Sequence, residues 1–183
     1  MTFATCCNLF RMRYLPLLLL LLSLSALAQT PDESTRTLAD SGLPEADRVA
    51  IQHVIQGKSA KNRLSDDAVL STRIQSIDLN DDDAAEIFAQ SVDSNNSFWI
   101  LQRSAKGYKV LLKSAAQNFR IREVKTGGFK DVELGRHESD YRTEWRGYKY
   151  DGSHYVRVKC WAKVTGDGEH EFPKPKIEPC TKR

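Results

Sequence analysis

The sequence predicts a mainly β protein: an antiparallel meander of about eight strands, forming a curved sheet or small sandwich of blade-like units, with one N-terminal helix. Three observations carry this. From Val69 onward apolar residues alternate with a period of two, and short turn-forming clusters separate the alternating runs. One stretch ahead of them has a helical period. A weak repeat relates two parts of the strand region, with Trp99 and Trp145 standing 46 positions apart.

The N-terminus reads as an export signal. Arg11 and Arg13 precede an apolar run from Leu15 to Leu24, and Ala26-Leu27-Ala28 supplies small residues for a peptidase. The run is about half of the ~20 residues that a membrane-spanning helix needs. We therefore expect cleavage near Ala28, a periplasmic or extracellular product and no permanent membrane anchor. Residues 1–28 are the expected signal peptide, and residues 29–43, rich in Thr, Ser, Asp and Glu, are an expected flexible lead-in. Residues 44–164 hold the helix and the meander, and residues 165–183 form a tail.

Pro44 suits a first helical position, and Glu45 and Asp47 favour the positive helix end. Val49, Ala50, Val54 and Ile55 mark an apolar face, and Gly57 stops the helix. His53 beside that face is a boundary residue. The predicted strands are VLSTRIQSIDL, AEIFAQSV, SFWILQRS, YKVLLKS, FRIREVKT, FKDVELGRH, YRTEWRGYKY and HYVRVKCWAKV. In the last, Val156, Val158 and Cys160 share the expected core face.

Cys6 and Cys7 leave with the signal, so Cys160 and Cys180 remain. A lone pair in an oxidising compartment predicts one disulfide, which would tie the tail to the last strand. A metal or redox pair is the competing reading, but no CxxC spacing supports it.

The stretch DLNDDDAAEIF, from Asp78 to Phe88, carries the most distinctive chemistry. Calcium takes oxygen ligands from alternate loop positions. Asp78 at position one places Asn80, Asp82, the Ala84 carbonyl and Glu86 at three, five, seven and nine. Asp83 stands at position six, where the turn favours glycine, and position twelve is Ala89, which excludes an EF-hand. An acidic turn whose aspartates cap backbone amides is the other reading. The stretch resembles the calcium loop of FG-GAP and VCBS-type repeats of exported proteins. GGFKDVELG and YKYDGSHYV resemble turns and hairpins of small secreted bacterial proteins of that kind. The resemblance covers roughly Ser76 to Trp161 and implies architecture more than activity, with calcium as the one implied cofactor.

The chain has no GxSxG, HExxH, P-loop or GxGxxG. His137, Glu138 and Asp140 lie close together but read as a polar hairpin loop. Asn95-Asn96-Ser97 matches a glycosylation sequon, which matters only in a eukaryotic pathway. Charge is uneven: residues 31–98 hold 13 acids and 6 bases, and residues 99–183 hold 11 acids and 19 bases. Such asymmetry arises from halves that complement each other or from an anionic partner. Aromatic and arginine residues on the hairpins, with Trp99, Arg142, Trp145, Arg146 and Tyr148 foremost, are candidate contacts for a protein or glycan partner. Export argues against nucleic acid. The expected function is a non-catalytic, β-rich binding or interaction module. The alternatives are a periplasmic inhibitor using a basic hairpin face and a hydrolase whose carboxylates carry no recognisable motif.

Overall fold

A computed structural model of the chain describes residues 35–57, 64–92 and 96–180. The expected signal peptide and Asn95 lie outside the described residues. Ten strands form two antiparallel five-stranded meanders. The first contains β1 (Arg36–Thr37), β2 (Arg73–Ile77), β3 (Glu86–Gln90), β4 (Ser97–Ser104) and β5 (Gly107–Ala115) in chain order. The second contains β6 (Asn118–Thr126), β7 (Phe129–Ser139), β8 (Arg142–Tyr150), β9 (Tyr155–Gly166) and β10 (Glu171–Pro179), also in chain order. The helices are α1 (Glu45–Gln56) and the short α2 (Asp66–Leu70). No described helix is long and apolar enough to cross a membrane.

Strand alternation sorts the apolar residues onto faces. In the first sheet the register pairs Phe88 with Ile100 on one face, and Ala89 with Trp99 and Ile87 with Leu101 on the other. The first face packs on the second sheet. There Phe88, Phe98 and Ile100 meet Val132, Leu134, Tyr148, Tyr150 and Tyr155, with Phe119 and Ile121 alongside. The Phe119 ring lies 4.9 Å from Phe88 and 5.7 Å from Phe98. The other face of the first sheet packs on α1. Ile51 and Ile55 meet Ile74, Ile87, Trp99 and Leu101. The layers are thus helix, sheet and sheet. Each large side chain buried this way contributes about 1.5–3 kcal/mol before entropy is charged.

Several expectations change. The mainly β antiparallel fold is as expected, with ten strands among the described residues against about eight expected. The lead-in is not wholly flexible: Arg36–Thr37 pairs with β2, and Leu38, with no exposed surface, donates its N–H to the Thr72 carbonyl. A single apolar residue in a polar stretch has no periodicity to betray it. Val69 and Leu70 belong to α2, not to a strand. Ser65 caps that helix by accepting the Ala68 N–H, and five residues are too few to show a helical period. The tail forms β10, an edge strand carrying Pro173, Pro175 and Pro179, where prolines without N–H donors are tolerated. The described residues from 35 to 180 fall in one compact unit. On α1 the buried positions are Asp47, Ile51 and Ile55, and Val49 is 53% exposed. Asp47 accepts from Arg103 Nη2 at 2.8 and 3.0 Å, tying α1 to β4. Val158 does not share the core face. Gly147 pairs with Lys159 but Tyr148 with Arg157, so Val158 is the extra residue of a bulge and is 50% exposed.

Leu38 tests the extended domain. Leu38→Ala should lower unfolding stability by about 2–5 kcal/mol in a urea titration. A midpoint unchanged from the parent protein would mean that this segment is not docked.

Candidate functional site

The acidic turn is held by its own residues. Asp78 Oδ1 accepts the N–H groups of Asn80 (3.2 Å) and Asp81 (2.7 Å), and Oδ2 accepts that of Asp83 (3.0 Å). Asp82 Oδ1 accepts from Ala84 N–H, and Asn80 Nδ2 donates to Asp82 Oδ2. Asp81 and Asp83 take positive φ of 60° and 65°. The second value falls where glycine was expected, and aspartate tolerates it. Asp81 lies 2.5 Å from Lys125 and 3.2 Å from Lys130, so the first acidic segment docks on basic residues of the second sheet. The complementary-halves reading of the charge asymmetry holds at this contact. Glu86 is buried and accepts the Leu79 N–H at 2.9 Å.

The carboxyls respond in opposite directions. Burial acts to raise Asp78, but the N–H donors of Asp81, Asp83, Asn80 and Asp82 outweigh it and hold it below the usual carboxylate value. Hydrogen bonds from Lys125 and Lys130 lower Asp81. Burial pushes Glu86 up, the Leu79 N–H opposes this, and Asp82 and Asp78 push further up. All the candidate donors are oxygens, which suits calcium. Ligands around one ion at 2.3–2.6 Å would lie within about 5 Å of one another. Asp78, Asp82 and Glu86 are not gathered that closely.

The five candidate contact residues do not form one surface. Trp99 is 2% exposed and lies under α1. Tyr148 lies in the core between the sheets, with its hydroxyl 3.1 Å from Ser114 Oγ. Arg142 bridges Glu138 (2.9 Å) and Glu178 (2.6 Å), and Arg146 holds Glu144 at 2.5 Å. Trp145 faces away from the inter-sheet core on the second sheet, but it too is buried, at 5% exposed. Periodicity shows which residues share a face but not which face another layer will cover. His137 and Asp140 are exposed near the β7–β8 turn, as the hairpin reading expects, and His53 is exposed on α1.

Trp145 leads to a surface that the sequence did not single out. Its row crosses the outer face of the second sheet: Gly135 on β7, Trp145 on β8 and Trp161 on β9 are register partners. The adjacent row holds Glu133, Gly147 and Lys159. Two glycines make room for long side chains laid flat. A Cβ on Gly135 would stand 3.0 Å from the Trp145 ring, and one on Gly147 would collide with the Lys159 methylenes. Lys159 therefore crosses Gly147 to reach Glu133 at 3.0 Å, while its ammonium sits 4.6 Å from the Trp161 ring centre. The Arg120 guanidinium covers Trp145 at 3.9 Å. Arg122 lies 3.8 Å from Glu133, and Lys163, opposite Thr143, extends the face. The signal available in sequence was the pair of mid-strand glycines, Gly135 and Gly147, across from aromatic and basic residues.

A second polar cluster gathers Glu138, Arg142, Glu144, Arg146 and Glu178 near the disulfide. Cys160 and Cys180 are bonded across 20 residues with Cα atoms 5.6 Å apart, as expected.

Comparison with protein-family models, curated proteins and solved structures gave no match. The fold and its surfaces define the class: a two-sheet antiparallel β protein with a helical cover on one side and a cationic, tryptophan-bearing face on the other.

The turn has a pH signature. Asp78 has a folded value below its unfolded one, so its contribution is present above the unfolded value and lost as pH falls through the folded value. Glu86 acts in reverse: its ionised form costs the fold at neutral pH, and that cost is relieved on protonation. Asp78→Asn should lower Tm at neutral pH and flatten the acid limb of the Tm–pH curve. A variant curve superimposable on the parent's would show that these hydrogen bonds do not hold the turn.

Proposed function

We propose that this is an exported, non-catalytic binding module, and that the outer face of the second sheet receives an acidic protein surface. The carrying observation is the contrast between Trp99 and Trp145. Both point away from the inter-sheet core and both are buried, but α1 covers Trp99, whereas the Arg120 guanidinium and no described helix lies over Trp145. That face presents Arg120, Arg122, Lys159 and Lys163, with Glu133 as the acid among them. The tryptophan faces are already occupied by Arg120 and Lys159, which leaves them poor stacking platforms for sugar rings and favours charge pairing with carboxylates. If the bound target is an enzyme and its site is obstructed, the module is an inhibitor. The signal-like N-terminus and the Cys160–Cys180 disulfide support export. The hydrolase reading gains nothing from the buried carboxylates Glu133 and Glu144, each held by a basic partner.

The protein should bind immobilised polyglutamate with an affinity that falls as salt rises. Arg120→Glu with Lys163→Glu should weaken binding about tenfold or more, and Lys106→Glu, a charge reversal in the β4–β5 turn, about twofold at most. Equal losses at both places would remove the face from the account.

Calcium in the acidic turn is a second reading, favoured by the 65° φ of Asp83 at position six. Asp78, Asn80, Asp82, the Ala84 carbonyl and Glu86 would have to draw together to hold the ion, which would supply charge neutralisation and stability rather than catalysis. Millimolar calcium should then raise Tm, and Asp78→Asn should abolish the rise. An unchanged Tm in the parent protein removes this reading.

A further inference from the structure

Outside the face just described, one group of donor atoms lies close together among the described residues. The two Sγ atoms of Cys160 and Cys180 and a carboxylate oxygen of Glu144 all lie within 4.8 Å of one another. They come from neighbouring strands: Glu144 from β8, Cys160 from β9, and Cys180 just past β10. We propose that reduction of the disulfide converts these three side chains into a zinc-class metal site.

The framework that holds the donors does not depend on the sulfur bond alone. Register pairing from Lys176–Val164 to Pro179–Trp161 keeps β10 beside β9, and Glu144 pairs with Ala162 in the middle of the ladder. Glu144 is 7% exposed and its position is set by Arg146, whose Nε and Nη2 both engage Oε1. Both contacts fall on Oε1, and Oε2 is the oxygen that would turn to a metal. Outer partners of this kind orient metal-ligating carboxylates. Arg146 is also the register partner of Cys160, and Arg136 that of Glu144. Their positive charge favours thiolate over thiol and offsets the negative charge of the donor set. Two thiolates and one carboxylate suit zinc, whereas calcium takes oxygen ligands. The cysteines are half-buried, so water can fill a fourth position.

The redox step balances with a dithiol reductant. One reductant thiolate attacks a sulfur of the disulfide, breaking the S–S bond and forming a mixed disulfide. The second reductant thiol resolves it and leaves as the oxidised disulfide. Two electrons and two protons pass to Cys160 and Cys180. Zinc binding then releases both thiol protons to solvent.

The test uses the full chain carrying Cys6→Ser and Cys7→Ser, so that only the pair in question can respond. The protein is reduced anaerobically with a phosphine and titrated with Co²⁺, then Zn²⁺. The reduced chain should bind one equivalent of Co²⁺ with a thiolate-to-cobalt charge-transfer absorption. Zn²⁺ should erase that band and block both thiols from alkylation, and the oxidised chain should show neither effect. Glu144→Gln should weaken affinity about tenfold, and Cys160→Ser should cut the band to about half or less, with circular dichroism confirming that each variant is folded. No charge-transfer band in the reduced parent chain overturns the proposal whatever the variants do. Undiminished affinity in folded Glu144→Gln, or an undiminished band in Cys160→Ser, also overturns it.

Discussion

The corner at Ala116 and Gln117 fixes everything beyond it. Had β6 paired with β5, the chain would have extended one broad sheet whose apolar residues faced water. Instead the backbone leaves one ladder and enters the other. Its polar groups still need partners, because buried N–H and C=O groups left unpaired are costly. Ala116 N–H donates to the Asn96 carbonyl, and Gln117 N–H to the Gly135 carbonyl. The Gln90 side-chain amide donates to both the Ala116 and Gln117 carbonyls at 3.0 Å. With the corner satisfied, the two meanders can turn their apolar faces on each other. Phe88, Phe98 and Phe119 then pack as an aromatic group across the junction.

Stacking decides where chemistry can sit. The inner faces are committed to the core, and α1 takes the outer face of the first sheet. The outer face of the second sheet is the broad one that carries cations without a described layer over it. Its charged residues are arranged rather than scattered, because Gly135 and Gly147 let Trp145 and Lys159 lie flat. On the opposite side of the same sheet Arg142, Arg146, Glu138, Glu144 and Glu178 are spent on each other. Ion pairs of that kind orient groups more than they stabilise. Half-buried arginines near acids are therefore a poor guide to a binding surface, and exposed cations over aromatic rings are a better one.

Strand positions were legible because half-buried strands impose alternation, and the eight predicted runs correspond to β2 through β9. What escaped had physical reasons. β1 has two residues and β10 has three prolines, so neither shows a strand signature. Bulges broke face assignment: Val158 is displaced outward, and Leu111 and Leu112 are both buried where β5 shifts register against β4. The acidic turn was legible in its backbone, since the positive φ required at Asp83 is present, but not in its partners. Lys125 and Lys130 come from strands some forty positions away, a contact that only the stacked sheets create. The same holds for the tryptophans. Their alternation did not show what would cover them: α1 buries Trp99, and Arg120 lies over the equally buried Trp145.

The stacked arrangement is the claim on which the candidate face rests, and inter-sheet nuclear Overhauser effects test it most directly. Cross-peaks are expected between the ring protons of Phe119 and those of Phe88 and Phe98, together with cross-peaks from Trp99 to Ile51. Their absence, with the within-sheet strand contacts intact, would contradict the layer order and the exposure of the Trp145 face.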